Sequence, residues 1–109
     1  MIKRERITAF VDEVARQFHP NRVLLFGSYA SGQPHADSDV DLLVIMPHKG
    51  PAAVQAADIR KRVRAGFPLD LIVRSPQAIT QRLALDDYFI TEILEKGEVL
   101  YEGQHAGMG

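Results

Sequence analysis

Two short apolar runs, residues 24–26 and 40–45, flank a Gly-Ser corner and a polar loop, and Asp39 and Asp41 stand at the head of the second run. The first run has the character of a buried strand, and Gly27 supplies the backbone freedom needed where a chain leaves a sheet abruptly. Residues two apart on an extended strand project from one face, so the carboxylates of Asp39 and Asp41 form a pincer. Carboxylates held that close raise one another's pKa unless a divalent cation or a basic group neutralises them. Hard oxygen ligands suit magnesium or manganese. The plainer reading is turn chemistry: Asp, Ser and Gly are common turn formers, and an isolated Asp-x-Asp at a loop–strand junction reads that way first.

The rest of the chain alternates helical and strand periodicities around this stretch. Ile7, Phe10, Val11, Val14 and Phe18 form one stripe of an amphipathic helix over residues 2–18, ended by His19-Pro20-Asn21. A strand over 23–26 leads into a short helix over 28–31, whose free N–H groups would face an anion such as a nucleotide phosphate, with Ser28 as ligand or merely as helix cap. Residues 33–38 form a polar loop in which His35 reads as solvated. After the strand at 40–45, residues 52–65 form a second amphipathic helix, with Gly66 closing it and Pro68 blocking its continuation. Arg60, Lys61, Arg62 and Arg64 crowd its end, where they complement the helix dipole or meet a triphosphate or an acidic partner.

A third strand covers residues 69–73. If Leu71 and Val73 face the core, Asp70, Ile72 and Arg74 face the other way. Ser75-Pro76 opens a short helix with Ile79 and Leu83 inward, Asp86 caps another over 87–96, Gly97 closes it, and residues 99–101 add an edge strand. Residues 1–102 read as a single domain and 103–109 as a disordered tail. The four histidines show no zinc spacing, and there is no cysteine.

A chain of 109 residues has room for one core but not for a catalytic domain plus a separate substrate domain. Its formal net charge of -1 gives no global drive towards nucleic acid, which argues against direct binding of duplex DNA. Without cysteine, disulfides and thiolate metal sites are excluded. No apolar run reaches the roughly 20 residues that cross a bilayer, and no signal-peptide core follows the basic N-terminus. The expected location is the cytoplasm, with no membrane partner.

The spacing Gly27-Ser28, ten residues, Asp39-x-Asp41 resembles the G-S-x10-D-x-D signature of the DNA polymerase β-like nucleotidyltransferase superfamily. With its short chain, the sequence looks like one of the minimal nucleotidyltransferases, the small antitoxin-type partners of HEPN toxins in prokaryotic toxin–antitoxin pairs. The resemblance covers roughly residues 23–74 with specific motifs and the flanking helices only by pattern. It implies an α/β (α+β) fold in which a small mixed sheet of three to four strands is flanked by helices. It also implies a third acidic residue on a neighbouring strand, and Asp70 is the only Asp or Glu in the third strand.

In the implied reaction a hydroxyl attacks the α-phosphorus of a nucleoside triphosphate and pyrophosphate leaves in line, with two metal ions stabilising the entering and leaving oxygens. Asp39, Asp41 and Asp70 are then the catalytic and metal-binding residues, with two Mg2+ ions (or Mn2+) and ATP as co-substrate. Asp70 serves as a ligand or as the base for the hydroxyl proton. Gly27, Ser28, Tyr29 and Ser31 are the nucleotide-binding residues. The acceptor that the resemblance implies is a tyrosine of a HEPN toxin, modified with AMP or another NMP. Two alternatives stay open: a non-catalytic antitoxin that acts by binding alone, and transfer to a small molecule such as an aminoglycoside. One departure stands out. Many relatives carry basic residues in a G-S-R-A-R-G turn, whereas this turn is Gly27-Ser28-Tyr29-Ala30-Ser31-Gly32, so Arg74, Lys49 or an arginine of a partner chain would have to compensate.

Overall fold

A computed structural model describes residues 1–103. Helix α1 (Arg4–Phe18) presents the expected stripe, burying Ile7, Phe10, Val11 and Val14. It begins two residues later than the periodicity suggests, because the Lys3 carbonyl accepts from the N–H groups of Arg6 and Ile7. It stops where His19 adopts a left-handed backbone (φ 50°) and donates its N–H to the Ala15 carbonyl. There follow β1 (Arg22–Phe26), the single turn α2 (Ser28–Ser31), β2 (Val40–Ile45), α3 (Ala52–Arg62), β3 (Leu69–Arg74), α4 (Pro76–Ala84), α5 (Tyr88–Lys96) and β4 (Glu98–Glu102).

The strands form one mixed sheet in the order β3-β2-β1-β4. β1 runs antiparallel to both neighbours, and β2 and β3 are parallel, joined through α3 as a parallel pair requires. Alternation sends Val23, Leu25, Leu42, Val44, Leu71 and Val73 to the face covered by α1 and α3, where Phe10, Val14, Ile59 and Val63 complete the larger core. Leu24, Leu43 and Ile45 point the other way, against Ile79, Ile90 and Ile93 of α4 and α5. Leu71 and Val73 face the first core and Ile72 packs on the second, so β3 splits its faces as the sequence suggests.

Two boundaries differ from expectation. α3 ends at Arg62, not near residue 65, because buried Val63 turns to an extended backbone to reach the core; Gly66 makes its positive-φ turn later, outside the helix. The cap of α5 is Asp87, whose carboxylate accepts the Ile90 N–H at 3.1 Å, rather than Asp86. Asp86 instead takes a left-handed conformation (φ 56°) where the chain reverses between α4 and α5. Of the expected tail, Gly103 is buried and donates to the Asn21 carbonyl at 2.8 Å, while 104–109 lie outside the described residues. Among the described residues no helix is long and apolar enough to cross a membrane.

Candidate active site

Topology brings one end of every strand together: the C-terminus of β1 and the N-termini of β2, β3 and β4. The site lies at this end, on the face that α4 and α5 cover. In the register, Asp41 stands opposite Phe26 on β1 and opposite Asp70 on β3, so its side chain shares a face with both. β2 is otherwise fully buried; Asp41 is its one partly exposed residue among Val40, Leu42, Leu43, Val44 and Ile45. Asp39 precedes the strand and is exposed, as is Asp70.

Asp41 senses the other two acids. Burial pushes the Asp41 carboxyl up to about 6, and the charges of Asp70 and Asp39 and a hydrogen bond with Asp70 push in the same direction. Like charges directly opposite across strands destabilise a sheet, and a proton held on Asp41 relieves the repulsion. A divalent cation would relieve it more completely. The donor set fits one in chemistry, being all hard carboxylate oxygen. Among the described residues, however, no three His, Asp or Glu side chains already stand in a metal-ligating arrangement.

The Gly-Ser corner is built against the same acid. Gly27 holds φ 73°, and a methyl group added there would overlap the Asp41 carboxylate. Glycine is thus required twice, for its backbone and for the close approach. Gly27, not Ser28, caps α2: its carbonyl accepts the N–H groups of Ala30 and Ser31, both at 3.1 Å. Ser28 is the first residue inside the turn. Two side chains expected at the nucleotide are engaged elsewhere. Tyr29 packs against the α1 and α3 core and its hydroxyl accepts the Ile2 N–H at 2.9 Å, while the Ser31 hydroxyl donates to the Ser28 carbonyl at 3.1 Å.

Neither compensating cation in this chain reaches the corner. Arg74 pairs in register with Ile45, four residues along β2 from Asp41, which at strand rise is roughly 13 Å away. Its guanidinium donates to the Val73 carbonyl. Lys49 follows the same far end of β2. The basic end of α3 is largely committed to structure: Arg60 donates to the Leu69 carbonyl at 2.8 Å, and Arg62 pairs with Asp58 at 3.3 Å and lies over the Phe18 ring.

Sequence reasoning missed the groove beside the corner. A cleft of about 540 Å³ runs between Gly27, Ala30 and Ser31 on one side and Phe89, Glu92 and Lys96 of α5 on the other, with Phe26 in its floor. Phe26 and Phe89 meet edge to face at 5.7 Å. The only available signal was the Glu92–Lys96 spacing, which reads as an ordinary helix-surface pair.

The family model described as "Polymerase beta, Nucleotidyltransferase" matches residues 10–106. Among solved structures, the chain is similar to a candidate nucleotidyltransferase from Sulfolobus solfataricus, with TM-score 0.61 and 19% identity over 90% of this chain and 78% of that one. A toxin–antitoxin structure with AMP-PNP gives TM-score 0.56 and 18% identity, covering 90% of this chain and 75% of that one. A mutant of the toxin–antitoxin MntA-HpeT gives 0.57 and 15%, covering 98% and 80%. At these identities the structural likeness speaks for the fold. Comparison with curated protein sequences gives no significant match.

Proposed function

This chain belongs to the polymerase beta nucleotidyltransferase family, and on that premise we propose that it transfers AMP or another NMP from a nucleoside triphosphate to a hydroxyl, that of a tyrosine on a HEPN toxin, and so acts as an antitoxin. The observation that carries the reading is the register that sets Asp41 opposite Asp70 beside Asp39, with Gly27 closed against the Asp41 carboxylate. Nothing in the core requires three acids at one sheet end, since alternation would accept any polar residue there.

Asp39, Asp41 and Asp70 would hold the divalent cations, Mg2+ or Mn2+, which when bound neutralise charge on the entering and leaving oxygens. In the displacement the acceptor oxygen bonds the α-phosphorus, the bond to pyrophosphate breaks, and the hydroxyl proton passes to a carboxylate. Asp70 suits that last role: it lies on the outer strand of the sheet and is exposed, where an acceptor from another chain can approach. Gly27 admits a phosphate by keeping side-chain bulk away, and Ser28 and the N–H groups at the start of the turn border it. Tyr29 contributes its backbone N–H, its hydroxyl being bonded to Ile2, while the N–H and hydroxyl of Ser31 are both already bonded within the turn, so that Ser31 only borders the site. A neighbour that is a toxin–antitoxin with AMP-PNP supports both the nucleotide and the partner class.

The test is to incubate the chain with a purified HEPN partner, ATP and Mg2+ and to take intact masses. Added adenylyl mass on the partner is expected with wild type and not with Asp39→Asn. An unchanged partner mass with the wild-type chain would overturn the proposal. A second reading, neutralisation by binding alone, draws on the absence of any cation in the turn 27–32. Under it, cells remain protected from the toxin by Asp39→Asn and Asp41→Asn; under the enzymatic reading protection is lost.

A further inference from the structure

We infer that Lys96 supplies the cation for the terminal phosphates of the bound triphosphate, a role that the Gly27–Gly32 turn leaves unfilled; the inference rests on the nucleotidyl-transfer reading above. The turn carries no charge, and Arg74 and Lys49 belong to the opposite end of β2. The cleft that opens directly from Gly27, Ala30 and Ser31 has one cation in its lining among the described residues, and it is Lys96. Phe26, opposite Asp41 in register, lies between the acids and this cleft on one face of the sheet.

The position of Lys96 follows from packing. It is the last residue of α5, and the next residue, Gly97, donates its N–H to the Ile93 carbonyl at 2.8 Å as the chain turns into β4. A Cβ on Gly97 would crowd the Ile93 carbonyl and come within 3.0 Å of the Leu25 carbonyl, so the end of α5 is pressed onto the end of β1. From β2 to β4 is two strand spacings, about 10 Å. That span is within the combined reach of a polyphosphate held at the Asp41 end and a four-carbon lysine stem.

Its present partner is Glu92, at 2.7 Å one helical turn earlier, with both side chains partly in solvent. An exposed pair of this kind adds little to stability, so the ammonium can exchange one carboxylate for phosphate oxygens of greater charge. Glu92 lines the same cleft with the opposite sign. The two residues should therefore affect nucleotide binding in opposite directions, although they form a single pair.

The experiment measures binding of ATP, ADP and AMP with Mg2+ to the full chain by calorimetry, for wild type, Lys96→Gln, Lys96→Arg, Glu92→Gln and Lys61→Gln as a remote charge control. Lys96→Gln is expected to weaken ATP about tenfold, the loss of one charge-assisted contact, and AMP less than about twofold. Lys96→Arg is expected to restore most of the affinity, Glu92→Gln to tighten ATP about twofold, and Lys61→Gln to leave it unchanged. A purely helix-stabilising pair would move both variants the same way, in affinity as in Tm, and that outcome overturns the role of Lys96. So does an equal loss for ATP and AMP, or an unchanged Lys96→Gln. If ATP binds wild type and not Asp41→Asn while Lys96→Gln is silent, Lys96 alone is refuted; if wild type binds no ATP, the nucleotidyl-transfer reading falls with it.

Discussion

The two ends of the sheet treat charge in opposite ways. At one end Arg22 of β1 stands in register with Glu102 of β4 and pairs with it at 3.2 Å. At the other, Asp41 of β2 stands in register with Asp70 of β3, acid against acid, with Asp39 beside them. Opposite charges across strands contribute roughly 0.2–1 kcal/mol, and like charges cost stability. The same packing sets both: the apolar residues of β1, β2 and β3 fix the register, and a shift by one residue would send them to the wrong faces. One end is arranged for stability, and the other gives some up to hold a concentrated negative site.

The contrast is broken most severely by removing the central acid. Asp41→Asn is expected to lower the transfer rate by roughly 10³-fold, about 4 kcal/mol of transition-state stabilisation, in the intact-mass assay, while raising Tm at neutral pH because the like-charge pair is gone. A catalytic loss accompanied by lower Tm would point to misfolding instead. Gly27→Ala leaves every charge in place and attacks the fit. With φ at 73° and the Asp41 carboxylate against it, the variant is expected to cost about 1–3 kcal/mol in urea denaturation and to lose activity.

Titration sharpens the contrast at a smaller scale. Asp41 is raised to about 6 in the folded chain from an ordinary 3.8, so it binds its proton more tightly folded than unfolded. Its contribution to stability is complete below about pH 4 and is lost as pH rises through 6. Because the group is partly solvated, the screened loss is about 1 kcal/mol. It is read as the difference in Tm between wild type and Asp41→Asn from pH 4 to 8, and Mg2+ is expected to shrink that difference by supplying the missing charge. At the opposite end, Arg22→Ala is expected to cost no more than about 1 kcal/mol and to leave transfer unchanged, as befits an exposed pair.

Much of the candidate site's geometry was legible before any coordinates. Period two put Asp39 and Asp41 on one face, the Gly-Ser corner marked where β1 ends, and the third strand contained a single acid, Asp70. What local patterns do not carry is the parallel register of β2 and β3, which sets Asp70 opposite Asp41 and sends Arg74 to the far end beside Ile45. Nor do they show that α5 returns to the corner. The place of Lys96 in the cleft is hidden from local patterns because its neighbours there, Gly27 and Ser31, lie some 65 residues earlier in the chain. The end of α3 and the cap of α5 were displaced by tertiary demands of the same kind: buried Val63 overrode the Gly66 stop, and the reversal at Asp86 moved capping to Asp87.

The crowded acids are proposed to bind a divalent cation and a nucleotide. Carbon-13 NMR of the aspartate carboxyls, followed through a pH titration and then through addition of Mg2+ with a non-hydrolysable ATP analogue, tests this most directly. The expected result is an Asp41 carboxyl that titrates near 6 alone, drops well below that value once Mg2+ and nucleotide are added, and shifts together with Asp39 and Asp70. An Asp41 that titrates as an ordinary carboxyl, or signals from all three that ignore both additions, would contradict the account.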